Sequence, residues 1–291
     1  MQRFAPALFV LLWSTGFIVA RYSTRDAGPL TFLTVRTLIA AGLLFVVARL
    51  IRELPVTTSQ MKIQWVVGLG MHAMYLGGVF VAINHGLPSG IGALIAALHP
   101  VLTTVLSRVL LGEEITLRQW LGIMLGFIGV VAVVIERGGA GDGVSVFALS
   151  SMGVAVIGMS AGTLVQRRFG QGTPLLQGTA WQYTSTALAL GIIAVFGEGW
   201  DIHFTQQTIL SLAWAVGVLS IAAVLIMLWL LHRQAASAVS SLFFLTPAFS
   251  TVEGAILFQE HLGALSLFGL LVAVVGVWLA TSTRGAISPQ T

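Results

Sequence analysis

Apolar runs of about 20 residues, the length that crosses a bilayer core as a helix, follow one another along almost the whole chain. They lie near 4–21, 30–50, 62–84, 89–111, 116–135, 145–166, 174–196, 208–231, 236–258 and 262–282. Inside a bilayer no water pairs with the backbone, so a spanning segment is either a helix or a strand of a closed barrel. These runs are continuous and do not alternate apolar with polar, which selects helices. Composition agrees. The chain is 57% hydrophobic and 8% charged, where soluble domains carry about 25% charged residues. A mean hydropathy of +0.96 is more than one water-soluble core can hide. The expectation is an all-α membrane protein with ten transmembrane helices.

Several function classes drop out. With no cysteine there is no disulfide, Cys-ligated zinc or iron–sulfur centre. No run of Lys or Arg exceeds two residues, which leaves no basic face for nucleic acid. HExxH and Walker A sequences are absent, and a serine nucleophile elbow is not expected. The histidines at 72, 85, 99, 203, 232 and 261 do not pair at metal-ligand spacing on one helix. No metal, no cofactor and no enzymatic activity are expected.

The chain also repeats itself. Pro100 and Pro247 lie 147 positions apart, as do Glu113 and Glu260, Gly122 and Gly269, and Gly129 and Gly276. Leu98 and Leu245, and Thr104 and Thr251, keep the same offset without a gap. A constant offset of this kind marks a duplication. Each copy reads as an apolar helix with a proline in its middle, a closing glutamate, and an apolar helix with small residues on one face. Proline removes a backbone hydrogen bond and bends or interrupts the helix. Such interruptions at matching places in two halves point to a transporter's binding site; inherited packing kinks are the alternative.

Basic residues set the orientation. With the N-terminus in the cytoplasm, Arg3, Arg49, Arg52, Lys62, Arg108, Arg118, Arg167, Arg168, Arg233 and Arg284 fall on the cytoplasmic side, Arg21, Arg25 and Arg137 fall outside, and Arg36 lies within a span. Asp26, Glu136, Asp142, Glu198, Asp201 and Glu260 fall outside. Both termini are expected inside. Five spans per copy is odd, so the copies enter the membrane from opposite sides and the repeats are inverted. The expected organisation is a first five-helix repeat at 1–137, a Gly-rich loop at 138–143, a second repeat at 144–282 and a cytoplasmic tail at 283–291.

Polar side chains inside spans are costly in lipid and belong on interior faces. Gly68, His72, Tyr75 and Val79 share one helical face; Gly92, Ala96, His99 and Thr103 share another; Thr246, Ser250 and Glu253 a third. These faces either line a cavity or bond packed helices together. Trp13, Trp181 and Trp214 lie inside spans rather than at their ends, and with Phe244 they suggest an aromatic lining. Arg36 and Glu253 are the plainly charged residues well within spans, and they would pair if their helices touch. Glu253 has Leu106 as its repeat counterpart, so the duplication offers no second carboxylate for a proton relay. Gly122, Gly126 and Gly129 in span 5, and Gly269, Ala273 and Gly276 in span 10, allow close backbone approach, either to each other or in a homodimer.

The duplicated proline, closing glutamate and glycine-rich helix, with Trp13-Ser14-Thr15-Gly16, Pro29 and Arg36 as an opening, resemble the EamA-type repeat of the drug/metabolite transporter superfamily. In the second half Gly158 and Trp181 stand where that opening has Trp and Arg. Within the superfamily the resemblance is greatest to an aromatic amino-acid exporter. It implies an inner-membrane exporter with a wide central cavity, and spans 5 and 10 outside the substrate-lining set. The resulting reading is a secondary transporter of small amphipathic metabolites, amino acids foremost. Spans 1–4 and 6–9 would rock about a central site, with Pro100 and Pro247 as the compliant points. A broad multidrug or quaternary-cation exporter is the alternative, with an intramembrane enzyme behind it.

Overall fold

The structure is a computed structural model that describes residues 5–111, 116–139, 145–223, 226, 245–259 and 263–281. Its helices are, in order, α1 (Ala5–Ser23), α2 (Pro29–Leu50), α3 (Thr58–Asn84), α4a (Ser89–Ala96), α4b (His99–Leu111), α5 (Leu117–Gly139), α6 (Val146–Phe169), α7 (Leu175–Gly197), α8 (Gln206–Ala222), α9 (Thr246–Phe258) and α10 (Ala264–Thr281). Local chemistry starts them where they start. Pro29 stands in the first turn of α2, where its missing N–H costs nothing. Thr57 and Gln60 form a reciprocal capping box at α3, and Thr205 caps α8. Two helices carry an internal π-helical stretch, Leu69–Met74 in α3 and Trp214–Ala222 in α8.

The interior is mostly apolar but holds many polar groups, and large apolar side chains cover much of the outside. Ser14, Thr31, Arg36, Gln64, Ser160, Gln182 and Thr186 are buried, while Leu38, Val46, Ile192 and Phe196 are exposed. Water would penalise those exposed apolar faces; hydrocarbon accepts them and forces polar groups inward. Six segments, α1, α2, α3, Ser89–Leu110, α6 and α7, are long and apolar enough to cross a bilayer, with shorter apolar helices beside them. The chain is an all-helical membrane protein.

Packing brings helices of the two halves together. α2 lies against α7, α5 against α10, α4a against α9, α1 against α8 and α9, and α6 against α3 and α4b. The α2–α7 pair is fastened at both ends by carboxylates. Glu198, just past α7, accepts from the Leu30 and Thr31 amides (2.9 and 2.8 Å) and from the Thr31 hydroxyl (2.8 Å). Glu53, just past α2, accepts from the Leu176 and Gln177 amides (3.0 and 2.8 Å). Each anion satisfies N–H groups that the first helical turn leaves unpaired and sits at the positive end of the helix dipole. Glu136 does the same at α10, accepting from the Leu265 amide at 3.1 Å. The small residues of α5 and α10 meet each other: a Cβ on Gly129 would strike Gly269 and Ala273, and one on Gly276 would strike Gly122 and Gly126. That seam is used within the chain, between α5 and α10.

Two expectations change. The fourth span is not one bent helix. It breaks at Ala97–Leu98 and resumes at His99, with Pro100 in the first turn of α4b. Pro247 stands in the first described turn of α9, and the chain before Leu245 lies outside the described residues. In addition, α5 continues through Gly138 and Gly139, and the rest of the expected connecting loop lies outside the described residues, as does the tail at 283–291.

Candidate functional site

The break in the fourth span is built from its own backbone. In an unbroken helix the amide of residue 100 would donate to the Ala96 carbonyl, and proline has no such hydrogen. The His99 imidazole supplies it, its Nδ1 standing 3.0 Å from the Ala96 oxygen. A carbonyl only accepts, so Nδ1 carries a hydrogen, and in the neutral tautomer Nε2 is left as an acceptor. The His99 carbonyl accepts from Ser160 of α6 (2.9 Å) and Thr103 (2.7 Å).

A cleft opens at this break, lined by Trp13, Phe17, Tyr75, Ala93, Ala96, Ala97, His99, Pro100 and Thr246. In this conformation it has room for about one water molecule. Its walls come from α1, α3, both parts of the fourth span and α9. Small residues on α4a leave the space, aromatic rings flank it, and His99 and Thr246 supply polar edges. The Thr246 hydroxyl has no hydrogen-bond partner among the described residues.

Beside the cleft a buried polar chain runs between α3 and α7. His72 Nε2 lies 2.9 Å from Gln182 Oε1. Gln182 Nε2 donates to Gln64 Oε1, and Gln64 Nε2 donates to the Thr173 hydroxyl at 3.3 Å. The His72 and Tyr183 rings are 4.8 Å apart. His72 belongs to the π-helical stretch of α3, where Gly70 packs on the Gly158 and Gly162 backbone of α6 and Gly68 on Gln182 and Ser185 of α7. π-Helical turns recur at functional sites because they turn side chains off the regular face.

The structure thus gathers Trp13, Tyr75, His99, Thr246 and Pro100 around one cleft, whereas His72 is held against Gln182 and Tyr183 of α7. Other residues singled out from sequence lie elsewhere. Trp181 packs edge-on against Phe45 between α7 and α2, with ring centroids 5.3 Å apart. Trp214 Nε1 donates to the Thr15 hydroxyl at 2.9 Å. Ser250 is buried and donates to the Ser14 carbonyl at 3.1 Å. Phe244 lies outside the described residues. Arg36 and Glu253 do not pair. Arg36 Nε donates to Ser220 at 3.3 Å, and Glu253 Oε1 accepts from Ser14 at 2.6 Å, leaving Oε2 buried and without a partner among the described residues.

Gln64, Gln182, Phe17, Ser160 and Ser220 were missed. For Gln64 a signal existed: it continues the Gly68–His72–Tyr75 face by one more turn. Gly158-Met159-Ser160-Ala161-Gly162 does carry the letters of a serine nucleophile elbow. An elbow needs a strand–turn–helix setting. Here the stretch lies within α6, Ser160 bonds a carbonyl, and both glycines pack on α3.

Comparison with known proteins agrees with this architecture. The EamA-like transporter family matches residues 4–135 and again 146–282. The transporter YvbV of Bacillus subtilis is 30% identical over 286 residues, covering 96% of this chain and 91% of its own. A "Probable amino-acid metabolite efflux pump" of Salmonella typhimurium is 26% identical over 289 residues, covering 95% and 93%. Its Escherichia coli namesake is 24% identical over 284 residues, covering 94% and 92%. A solved crystal structure superposes with a TM-score of 0.63 over 96% of this chain and 95% of its own at 21% identity, which shows a common fold. Transport, not catalysis, is the class of activity, and the chain belongs to the EamA-like transporter family.

Proposed function

We propose that this protein exports small amphipathic metabolites, amino acids including aromatic ones, from the cytoplasm across a bacterial-type inner membrane by alternating access. The cleft at the broken fourth span carries the reading. Interrupted helices near the membrane midplane are where transporters of this general design hold solutes, and this one is faced by Trp13, Phe17 and Tyr75 with the His99 and Thr246 edges. Relatives named as amino-acid metabolite efflux pumps and as an inner membrane transporter lend support.

The proposed frame is ten spans in two inverted repeats, 1–137 and 144–282. Loop contacts support it. Residues beside Pro29 bond to the 198–203 loop, through the Gly28 amide to Asp201 and the His203 amide to Asp26. Residues 53–60 bond instead to 172–177. Alternate loops thus gather at opposite ends. Cysteines placed at Asp201 and Gln171 of this cysteine-free chain test the orientation in intact cells. An impermeant thiol reagent should label position 201 and spare 171; the reverse pattern overturns it.

The function is tested with purified protein in sealed liposomes, offered aromatic and aliphatic amino acids and tetraethylammonium. Saturable flux of unmodified amino acids is the expected result. Flux of the cation alone would favour the multidrug reading, in which the unpartnered Glu253 oxygen serves a positive charge.

A further inference from the structure

Arg36 is the feature that the cleft alone does not explain. It stands about two turns into α2 and is 5% exposed. Its Nε donates to Ser220, in the π-helical stretch of α8. Its two terminal nitrogens have neither a hydrogen-bond nor an ion-pair partner among the described residues. Nor are they sealed in. The buried side-chain atoms that lack both a partner and open space, among the described residues, are Trp65 Nε1, Gln166 Oε1, Thr246 Oγ1, Thr251 Oγ1 and Glu253 Oε2. The Arg36 terminal nitrogens therefore touch open space.

Among the described residues, the titratable side chains in electrostatic contact with the guanidinium are Tyr183 and His72, and neither is a carboxylate. Glu253, the carboxylate described within α9, accepts from Ser14 on α1 through Oε1 and makes no ion pair with Arg36. A guanidinium inside a membrane without a counter-charge is expensive, and such residues mark substrate pathways. Its two free amino groups form a planar fork matched to one carboxylate. The guanidinium is in electrostatic contact with His72, and Tyr75, three residues further along α3, lines the aromatic cleft, so about one helical turn of α3 separates the fork from the cleft wall.

Accordingly, we propose that Arg36 is the seat of the solute's carboxylate, so that the transported class is carboxylates with an apolar body, the body lying toward the aromatic cleft. This rests on the transport reading above. The second half has Trp181 in place of Arg36, so there is one seat and the solute has one polarity in the site.

The test is competition in proteoliposomes loaded with labelled L-phenylalanine, using phenylacetate and L-phenylalaninamide as unlabelled competitors. Phenylacetate should compete, and the amide should compete about ten- to hundred-fold less well, as expected for loss of a hydrogen-bonded charge pair. Arg36→Gln should bring that ratio close to one while amide flux persists. If this variant does not fold, Ser220→Ala frees the guanidinium from its anchor and should raise the KM of phenylalanine several-fold but not that of the amide. An amide that competes as well as the acid on the wild type overturns the seat, as do equal losses for acid and amide in either variant. If phenylalanine flux is itself absent, the amino-acid reading falls and the seat with it; a ratio of one with flux intact removes the seat alone.

Discussion

Two places where the halves of the chain meet are built on opposite principles. At the α5–α10 seam glycines bring backbone onto backbone, and the contact is dry and apolar. Where α1, α4a and α9 meet, the contacts are made by side-chain oxygens: Ser14 to Glu253, Ser250 to the Ser14 carbonyl, with the Thr246 and Thr251 hydroxyls left over. The first seam satisfies van der Waals contact everywhere and has one good arrangement. The second holds unspent hydrogen-bonding capacity beside a broken helix, so a shifted arrangement exchanges partners instead of losing them. Transport needs both kinds: a fixed joint to hold the halves and a loose one to move.

The contrast predicts unequal costs for adding one methyl group. A Cβ on Gly276 would meet the Gly126 amide and Gly122 carbonyl, which move only if the helices part. Gly276→Ala should therefore destabilise by about 1–3 kcal/mol, as overpacking does, and lower the melting temperature in detergent. A Cβ on Gly90 in α4a would first meet the Thr251 hydroxyl at 2.7 Å, a side-chain atom able to rotate. Gly90→Ala should fold nearly normally and slow transport. Equal melting temperatures for the two variants would break the comparison.

A third junction, α2–α7, lies between these extremes and sharpens them. It is fastened by Glu198 at one end and Glu53 at the other, with three and two accepted hydrogen bonds. Glu198→Ala should cost about 1–2 kcal/mol, the range for losing a helix cap with its charge, and Glu53→Ala somewhat less. Each is read by thermal unfolding. Losses of this size without a change in transport would class α2–α7 with the fixed joints, whereas unchanged stability would mean the caps merely decorate loop ends.

How legible these features were differs by residue, for physical reasons. Membrane class, helix positions and the small-residue faces of spans 5 and 10 follow from hydrophobic length and spacing, which are local properties. His72, Tyr75 and His99 were visible because a polar group inside a span needs a reason. Gln64 and Gln182 escaped because an uncharged amide on an apolar helix attracts less notice than a charge until its neighbour is known. Glu53 and Glu198 look like loop acids, and only the antiparallel packing of α2 on α7 makes them caps. Trp181 and Trp214 show the converse: an indole inside a span can stack, line a cavity or donate to a hydroxyl, and sequence does not say which partner lies opposite.

The smallest expected effect on stability, and the most direct probe of the loose joint, is at Pro100. Alanine there restores an amide that would donate to the Ala96 carbonyl, the acceptor now taken by His99 Nδ1. Backbone and imidazole would compete for one oxygen, and the backbone bond also extends the helix across Ala97–Leu98. Removing one hydrogen bond while making another leaves stability within about 1 kcal/mol. The imidazole is then freed from the break, and α4a and α4b move as one rod. If the break lets the cleft change shape, Pro100→Ala should slow turnover several-fold with a smaller effect on KM, because the aromatic rings and Thr246 that face the cleft are unchanged. Adding His99→Ala to Pro100→Ala separates the two roles of that side chain. In the double variant the Ala96 carbonyl keeps its backbone donor, so any further loss in KM belongs to His99 Nε2 and the solute. Normal turnover in the single variant would reduce the break to packing and leave the polar α1–α9 contact as the remaining hinge.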